Sequence, residues 1–323
     1  MPGITDWRDD MNSLKRISFA LLALLPLAAG TAFAEPEHGY SRIFTFGDSL
    51  SDPGNKFAIT GETSHPPFEP IADAPYGVGG HHFSNGKTWV EVLAQEMELT
   101  EWAKPAYRDP AFGNFAYAGA RGREYSVTAP SFGQQVQAWI AINGCTGAPM
   151  DDTLFIVQFG GNDLRDALEA FLRAENPAPI VAGAINGIVT NIAILAQCGA
   201  RHVLVANAPN LGAAPAVPAD YKDAVTFLSW QFNDSLETAL AFFLPPFVNT
   251  ETVDFFGFVT GATMMPEAFG FAEVTSPCLT FGVVKNAFCK DRDRYLFWDA
   301  IHPTKKAHAL LGEIALGQLP RPY

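Results

Sequence analysis

The chain of 323 residues is 48% apolar and only 17% charged, a composition that excludes a disordered protein. Acidic residues outnumber basic ones by 34 to 21, which gives a formal net charge of −13. A surface of this sign repels nucleic acids and anionic lipids, so we expect no nucleic-acid partner and favour neutral or cationic substrates over polyanionic ones.

Residues 1–34 have the pattern of a secretory signal peptide. Two basic residues follow Met11, and the apolar run 17–29 leads to a small-x-small cleavage signal that ends at Ala34. A membrane anchor is the alternative, but the run is shorter than the ~20 apolar residues that a spanning helix needs. We therefore expect translation from Met11, cleavage after Ala34, and export to the periplasm or the medium with no membrane span in the mature form.

The remainder of the chain alternates between predicted strands and helices. In chain order we predict a strand over 42–46, a long irregular loop over 56–88, a helix over 88–97, a strand over 153–159, a helix over 180–197, a strand over 202–206, a helix over 223–244, a strand over 252–256 and a helix over 305–319. This alternation predicts a parallel sheet with helices on both faces. We expect a single α/β domain over 35–323.

Polar residues follow two of these strands directly. Gly47-Asp48-Ser49 comes after the first strand and Gly160-Gly161-Asn162 after the second, while Asp299 and His302 precede the last helix. Ligands of open parallel sheets bind beyond the carboxyl ends of the strands, so these residues can meet there. They supply a hydroxyl, an amide, a carboxylate and an imidazole, which are the parts of an acyl-transfer site.

Ser49, His302 and Asp299 are the candidate catalytic residues. An imidazole can activate a serine hydroxyl near neutral pH, and Asp299 lies close enough in sequence to hold the second ring nitrogen of His302. The backbone N–H of Ser49 and the side chain of Asn162 are candidate oxyanion donors, and Gly119 could supply a third. Each residue also has a structural alternative, since Ser49 could cap a helix and Asn162 could belong to an ordinary turn.

Four blocks, in this order, resemble those of the GDSL esterases and lipases, also called SGNH hydrolases. The blocks are Phe46-Gly-Asp-Ser-Leu-Ser-Asp-Pro-Gly-Asn55, Asn114-Phe-Ala-Tyr-Ala-Gly-Ala120, Gly160-Gly-Asn-Asp163 and Asp299-Ala-Ile-His-Pro303. A further stretch over 83–89 is similar to one that is common in lipase-like members. The G-x-S-x-G motif of the α/β-hydrolases is absent, which favours this family over that one.

The resemblance implies a three-layer α/β/α fold with a parallel, flavodoxin-like sheet. It also implies hydrolysis of acyl esters through an acyl-enzyme, without a metal or other cofactor. Ser49 would be the nucleophile, and Asp299 and His302 would be the acid and the base. The N–H groups of Ser49, Gly119 and Asn162 would form the oxyanion hole.

Four cysteines in an exported protein suggest disulfides. Cys278 and Cys289 are close together in an irregular segment, so we favour this pair, which leaves Cys145 and Cys198 as the second. Free buried thiols are the alternative. A zinc site is not expected, because the sequence contains neither C-x-x-C nor H-E-x-x-H spacing.

The sequence therefore predicts an exported serine esterase that acts on a small-molecule or lipid ester. We favour short acyl chains, because no long apolar helix in the loops resembles a lipase lid. A lipase or phospholipase, an acyltransferase and a catalytically decayed binding module are the alternatives. Choline esters would suit the acidic surface and the aromatic loops, and acetylated sugars are a further option.

Overall fold

A computed structural model describes residues 39–125 and 129–320, so the predicted signal peptide lies outside the described residues. The strands are β1 (Arg42–Gly47), β2 (Met150–Gln158), β3 (Ala200–Ala206) and β4 (Asn249–Val253). The helices are α1 (Asn55–Thr60), α2 (Trp89–Glu96), α3 (Phe132–Asn143), α4 (Gly161–Leu172), α5 (Ala178–Gln197), α6 (Lys222–Phe243), α7 (Phe255–Met264) and α8 (Lys305–Gln318).

The four strands form one parallel sheet in the order β1-β2-β3-β4. The segment 113–117 runs parallel to β1 on its free side without forming a regular strand. The N–H of Phe115 donates to the carbonyl of Thr45 at 2.7 Å, and the N–H of Tyr117 donates to that of Gly47 at 2.9 Å. With this segment counted second in the chain, the order becomes 2-1-3-4-5, the order of flavodoxin-like sheets. The strand order reverses between β1 and β2, where such sheets bind their ligands.

Helices cover both faces of the sheet. Because side chains alternate along a strand, Leu154 and Ile156 of β2 pack into one core with α2 and α8. Phe155 and Val157 pack into a second core with α3, α5 and α6. The predicted parallel sheet with three α/β/α layers is therefore confirmed.

The structure differs from the sequence prediction at several elements. α1 replaces the start of the predicted loop, and α3, α4 and α7 have no counterpart among the predicted helices. The predicted fourth strand, 252–256, is displaced by three residues, because β4 runs over Asn249–Val253 and a helix begins at Phe255. The carboxylate of Asp254 accepts the N–H of Gly257 at 2.8 Å and so caps this helix, which ends the strand before its apolar run ends.

The helix α5 is long and apolar enough to cross a membrane, the one such helix among the described residues. Its inward side contributes Ile188, Ile192 and Leu195 to the core. One third of the residues in its apolar window are buried within the described structure.

Two disulfides join the four cysteines, in the pairs that the sequence analysis favoured. Cys145–Cys198 connects the end of α5 to the segment before β2. Cys278–Cys289 closes a short loop whose backbone N–H at Cys278 donates to the carbonyl of Phe297 at 3.0 Å. The second disulfide therefore lies beside the segment that carries Asp299.

Candidate active site

Ser49 lies in a tight turn that follows β1. Asp48 shapes this turn, because its carboxylate accepts the N–H of Leu50 at 3.0 Å and its carbonyl accepts that of Ser51 at 3.1 Å. Asp48 is buried, whereas Ser49 remains partly exposed. Burial raises the pKa of the Asp48 carboxyl to about 6. The turn thus presents the serine hydroxyl at the edge of the sheet.

Ser49, His302 and Asp299 form a continuous chain of short contacts. The hydroxyl oxygen of Ser49 lies 2.9 Å from Nε2 of His302, and Nδ1 of His302 lies 2.7 Å from Oδ2 of Asp299. The backbone N–H groups of Ile301 and His302 donate to Oδ1 of Asp299 at 2.9 and 2.7 Å, which fixes the carboxylate within its own turn. An acceptor at Nδ1 favours the tautomer that leaves Nε2 free to take the serine proton.

Tyr76 is a residue of this site that sequence reasoning missed. Its hydroxyl donates to Oδ2 of Asp299 at 2.7 Å, and its ring is fully buried against Trp298. Burial raises the pKa of the Tyr76 phenol well above its usual range, so the hydroxyl keeps its proton for this bond. Tyr76 lies in an irregular loop without a periodic pattern, and no sequence signal distinguishes it from its neighbours.

Gly119 and Asn162 line one cavity together with Ser49. The amide nitrogen of Asn162 donates to the carbonyl of Ala120 at 2.9 Å, and its second hydrogen remains for another acceptor. Gly119 has a φ of +84°, a conformation that favours glycine. Gly119 follows the segment along β1, and Asn162 follows β2. These two elements lie on either side of β1, so the two residues approach Ser49 from opposite sides.

Buried polar side chains fix the serine turn to the segment along β1. The carboxylate of Asp52 accepts the N–H of Ala118 at 2.9 Å. The side-chain amide of Asn55 donates to the carbonyls of Asn114 and Ala116, each at 2.8 Å. These bonds satisfy buried backbone groups that no regular strand pairs. They also hold the backbone that leads to Gly119 in place beside the serine.

A remote stretch of the sequence anchors the loop of His302. The hydroxyl of Ser84 donates to the carbonyl of Pro303 at 2.8 Å, and the side-chain oxygen of Asn85 accepts the N–H of Lys305 at 2.7 Å. The loop is therefore held just before α8 begins. These two side chains belong to the stretch 83–89 that the sequence analysis singled out, and they give it a structural role.

Two cavities meet at Ser49 and His302. The larger has a volume of about 320 Å³ and is mostly apolar. Its apolar lining includes Leu50, Leu164, Leu168, Leu172, Leu211, Val217 and Val225. The smaller has a volume of about 200 Å³, and charged and polar side chains dominate its lining. Within the part of the chain that the structure describes, no group of three or more His, Cys, Asp or Glu side chains is placed to hold a metal ion.

The sequence is similar to a family of known enzymes. Residues 43–315 match the family described as GDSL-like Lipase/Acylhydrolase. A GDSL esterase/lipase of Arabidopsis thaliana is 24% identical, and the match covers 84% of this chain and 86% of the relative. The thermolabile hemolysin of Vibrio parahaemolyticus is 23% identical, with 84% of this chain and 62% of the hemolysin covered.

Two solved structures align with most of this chain at low sequence identity. A member of the lipolytic protein G-D-S-L family from Veillonella parvula has a TM-score of 0.46 at 16% identity, and the match covers 85% of this chain and 96% of that one. A catalytic mutant of an acetylxylan esterase from Geobacillus stearothermophilus has a TM-score of 0.47 at 12% identity, with 88% and 97% covered.

Proposed function

Because the chain belongs to the family of GDSL-like lipases and acylhydrolases, it is a hydrolase that acts on esters, and we propose that it is an exported serine esterase. Ser49 is the nucleophile, His302 is the general base, and Asp299 orients the imidazole. The observation that carries this proposal is the chain of contacts from Ser49 to His302 at 2.9 Å and onward to Asp299 at 2.7 Å. The catalytic domain is 35–323, released by cleavage of the signal peptide 1–34.

Acylation begins when Nε2 of His302 takes the hydroxyl proton of Ser49 and the serine oxygen attacks the ester carbonyl carbon. The carbonyl electron pair moves onto its oxygen, where the N–H groups of Ser49, Gly119 and Asn162 stabilise it. A donor of this kind is worth a rate factor of about 10²–10³. The intermediate then loses the alcohol, which takes its proton from His302 and leaves the acyl group on Ser49.

Deacylation reverses these roles with water as the nucleophile. His302 takes a proton from the water as its oxygen attacks the acyl carbon, and the bond to the serine oxygen then breaks. The proton returns to Ser49, and the carboxylic acid leaves. Asp299 holds Nδ1 of His302 and stabilises the imidazolium. The bond from Tyr76 fixes the position of the same carboxylate oxygen.

The larger cavity supports acyl chains longer than the short ones that the sequence favoured. An apolar cavity of ~150 Å³ is enough to hold the six carbons of benzene. A cavity of about 320 Å³ is roughly twice that size, so we propose that it takes acyl chains of up to roughly a dozen carbons. The preference for short chains remains a prediction within this range.

The two disulfides support export, because such bonds persist in oxidising compartments. The test is to express the full chain with its own leader and to assay the culture medium and the periplasm for hydrolysis of 4-nitrophenyl butyrate. We expect activity in one of these fractions and a mature N-terminus at Glu35. Ser49→Ala should be exported equally and lack the activity.

Other outcomes of this assay decide between the alternatives. Full activity in Ser49→Ala would contradict the proposed nucleophile. An inactive wild-type protein that is correctly exported would favour a binding module. Release of a new ester instead of the acid, on addition of an acceptor alcohol, would reassign the protein as an acyltransferase.

A further inference from the structure

The smaller cavity beside Ser49 carries a charge opposite to that of the whole protein. Its lining contains three cationic side chains, Lys56, Arg121 and Arg165, against one carboxylate, Asp73. Arg165 also lines the larger cavity, so it lies where the two cavities meet. The chain as a whole has a net charge of −13. The lining of this cavity therefore holds more basic than acidic side chains, although acidic residues predominate in the chain.

Two of these cations are not neutralised by a close partner. Arg121 forms a bidentate pair with Asp166 at 2.9 and 2.8 Å. Arg165 lies no closer than 3.9 Å to Glu169, and its Nε is buried without an acceptor among the described residues. The Arg165 side chain is about one-third exposed and lines the smaller cavity. An anion in this cavity can therefore contact the exposed part of its guanidinium group.

The ammonium group of Lys56 is likewise available. It lies 5.7 Å from the ring centroid of Phe83, and none of the ion pairs between described residues includes it. Burial lowers the pKa of Lys56, although neighbouring carboxylates including Asp73 oppose this shift. An anion beside the ammonium would stabilise its charged form.

The aromatic rings of this cavity already face cations of the protein. Lys56 occupies the face of Phe83, and the guanidinium group of Arg121 lies 4.4 Å from the ring centroid of Tyr125. A quaternary ammonium ligand needs aromatic faces that are free to contact it. A cationic alcohol such as choline would instead meet charges of its own sign. The choline hypothesis raised by the sequence is therefore disfavoured.

Building on the proposed esterase function, we propose that the substrate is an ester whose alcohol part carries an anionic group, a phosphate or a carboxylate. The acyl chain occupies the larger, apolar cavity, and the anion lies in the smaller cavity between Lys56 and Arg165. The planar donors of arginine match the oxygens of either anion. The overall acidic charge disfavours polyanions, but it does not oppose a single anion that contacts this local cluster.

A set of octanoyl esters that differ only in the alcohol tests this proposal. The alcohols are glycerol (neutral), glycerol 3-phosphate and glycolate (anionic), and choline (cationic), and the readout is kcat/KM for the release of octanoate. We expect at least one anionic ester to exceed the neutral one by about tenfold or more, mainly through KM. The advantage should shrink at high salt, since the smaller cavity is open to solvent ions.

Substitutions at the two cations locate the preference. Lys56→Gln and Arg165→Gln should each lower the ratio of anionic to neutral kcat/KM by about tenfold. The ratio cancels any general loss of active protein. Lys285→Gln and Arg173→Gln are the matched controls, because both side chains are exposed and neither lines the two cavities. The controls should keep the wild-type ratio.

Each result has a distinct meaning. Equal kcat/KM for neutral and anionic esters, or a preference for the choline ester, would overturn this inference and leave the esterase proposal intact. An anionic preference that survives both substitutions would overturn the assignment to Lys56 and Arg165. Failure to hydrolyse any of the esters would overturn the proposed function itself.

Discussion

The hydroxyl of Tyr76 donates a 2.7 Å hydrogen bond to Asp299, although 223 positions separate the two residues in the chain. The same oxygen, Oδ2, lies 2.7 Å from Nδ1 of His302. The Tyr76 hydroxyl and the His302 ring therefore contact the same carboxylate oxygen, one from a distant part of the sequence and one from the same turn. We propose that Tyr76 acts through Asp299, as a positioning residue for the imidazole.

Removal of this hydroxyl tests that role. In Tyr76→Phe we expect kcat to fall by about tenfold with little change in KM, and the free energy of unfolding to fall by about 1 kcal/mol, because a buried acceptor loses one donor. The measurements are steady-state kinetics and urea denaturation. Tyr107→Phe is the control, since its hydroxyl forms no hydrogen bond within the described residues and its loss should leave kcat unchanged.

The larger cavity predicts how acyl specificity can be changed. Leu168 lines this cavity from α4, so Leu168→Trp should fill part of it. On a series of 4-nitrophenyl esters, we expect the optimum to move to shorter chains by roughly four carbons, because an indole occupies the space of several methylene groups. Phe171→Trp, an exposed neighbour on the same helix, should keep the wild-type profile. Identical profiles for both variants would contradict this use of the cavity.

Asp48 predicts a change of stability with pH. Burial raises the pKa of its carboxyl from 3.8 to about 6, so the folded state holds this proton more tightly than the unfolded state. Below about pH 4 the carboxyl is protonated in both states, and its burial does not lower the free energy of unfolding. This free energy falls as the pH rises through about 6. Asp48→Asn should be more stable than the wild type above pH 7, by about 2–3 kcal/mol, and the difference should vanish near pH 4.

Urea denaturation of both proteins at several pH values measures this difference. The comparison removes the contributions of other buried groups, such as His308, whose pKa burial lowers to about 3. Asparagine keeps the oxygen that accepts the N–H of Leu50, so the turn itself should be retained. A difference between the two proteins that is constant from pH 4 to pH 8 would show that Asp48 does not titrate as argued.

The Cys145–Cys198 disulfide should contribute more to stability, and the Cys278–Cys289 disulfide should contribute more to activity. In the chain-entropy model, loss of the Cys145–Cys198 bond costs about 4 kcal/mol and loss of the shorter Cys278–Cys289 loop costs about 3 kcal/mol. Only the second loop bonds to the segment beside Asp299. We therefore expect the Cys-to-Ser pair at 278 and 289 to lower kcat/KM at 25 °C. The pair at 145 and 198 should lower the melting temperature more and leave kcat/KM unchanged.

Much of the fold and of the candidate site could be predicted because parallel sheets place the ends of their strands at one edge. The apolar runs of β1 and β2 end at glycines, which located the turns of Ser49 and Asn162 in the sequence. The Ser131 and Gln134 side chains form a capping box at the start of α3, and their S-x-x-Q spacing is a signal for this helix in the sequence. α4 begins after Gly160 without a side-chain cap, so its start had no comparable signal.

Other features depend on contacts that a single sequence does not express. Tyr76 reaches Asp299 only because an irregular loop folds back over Trp298. Lys56 and Arg165 share a cavity only because α1 and α4 follow neighbouring strands of the sheet. The overall acidic composition concealed this local cluster of positive charge. Such groupings follow from tertiary packing and not from local pattern.

The most direct test of the central claim is to identify the residue that reacts with a fluorophosphonate. The mature protein is treated with an alkyl fluorophosphonate, and its peptides are analysed by mass spectrometry. We predict one stoichiometric adduct on Ser49, formed together with complete loss of esterase activity and absent from His302→Ala. Retention of activity in protein that is fully modified at Ser49, or inactivation with the adduct on another residue, would contradict the account.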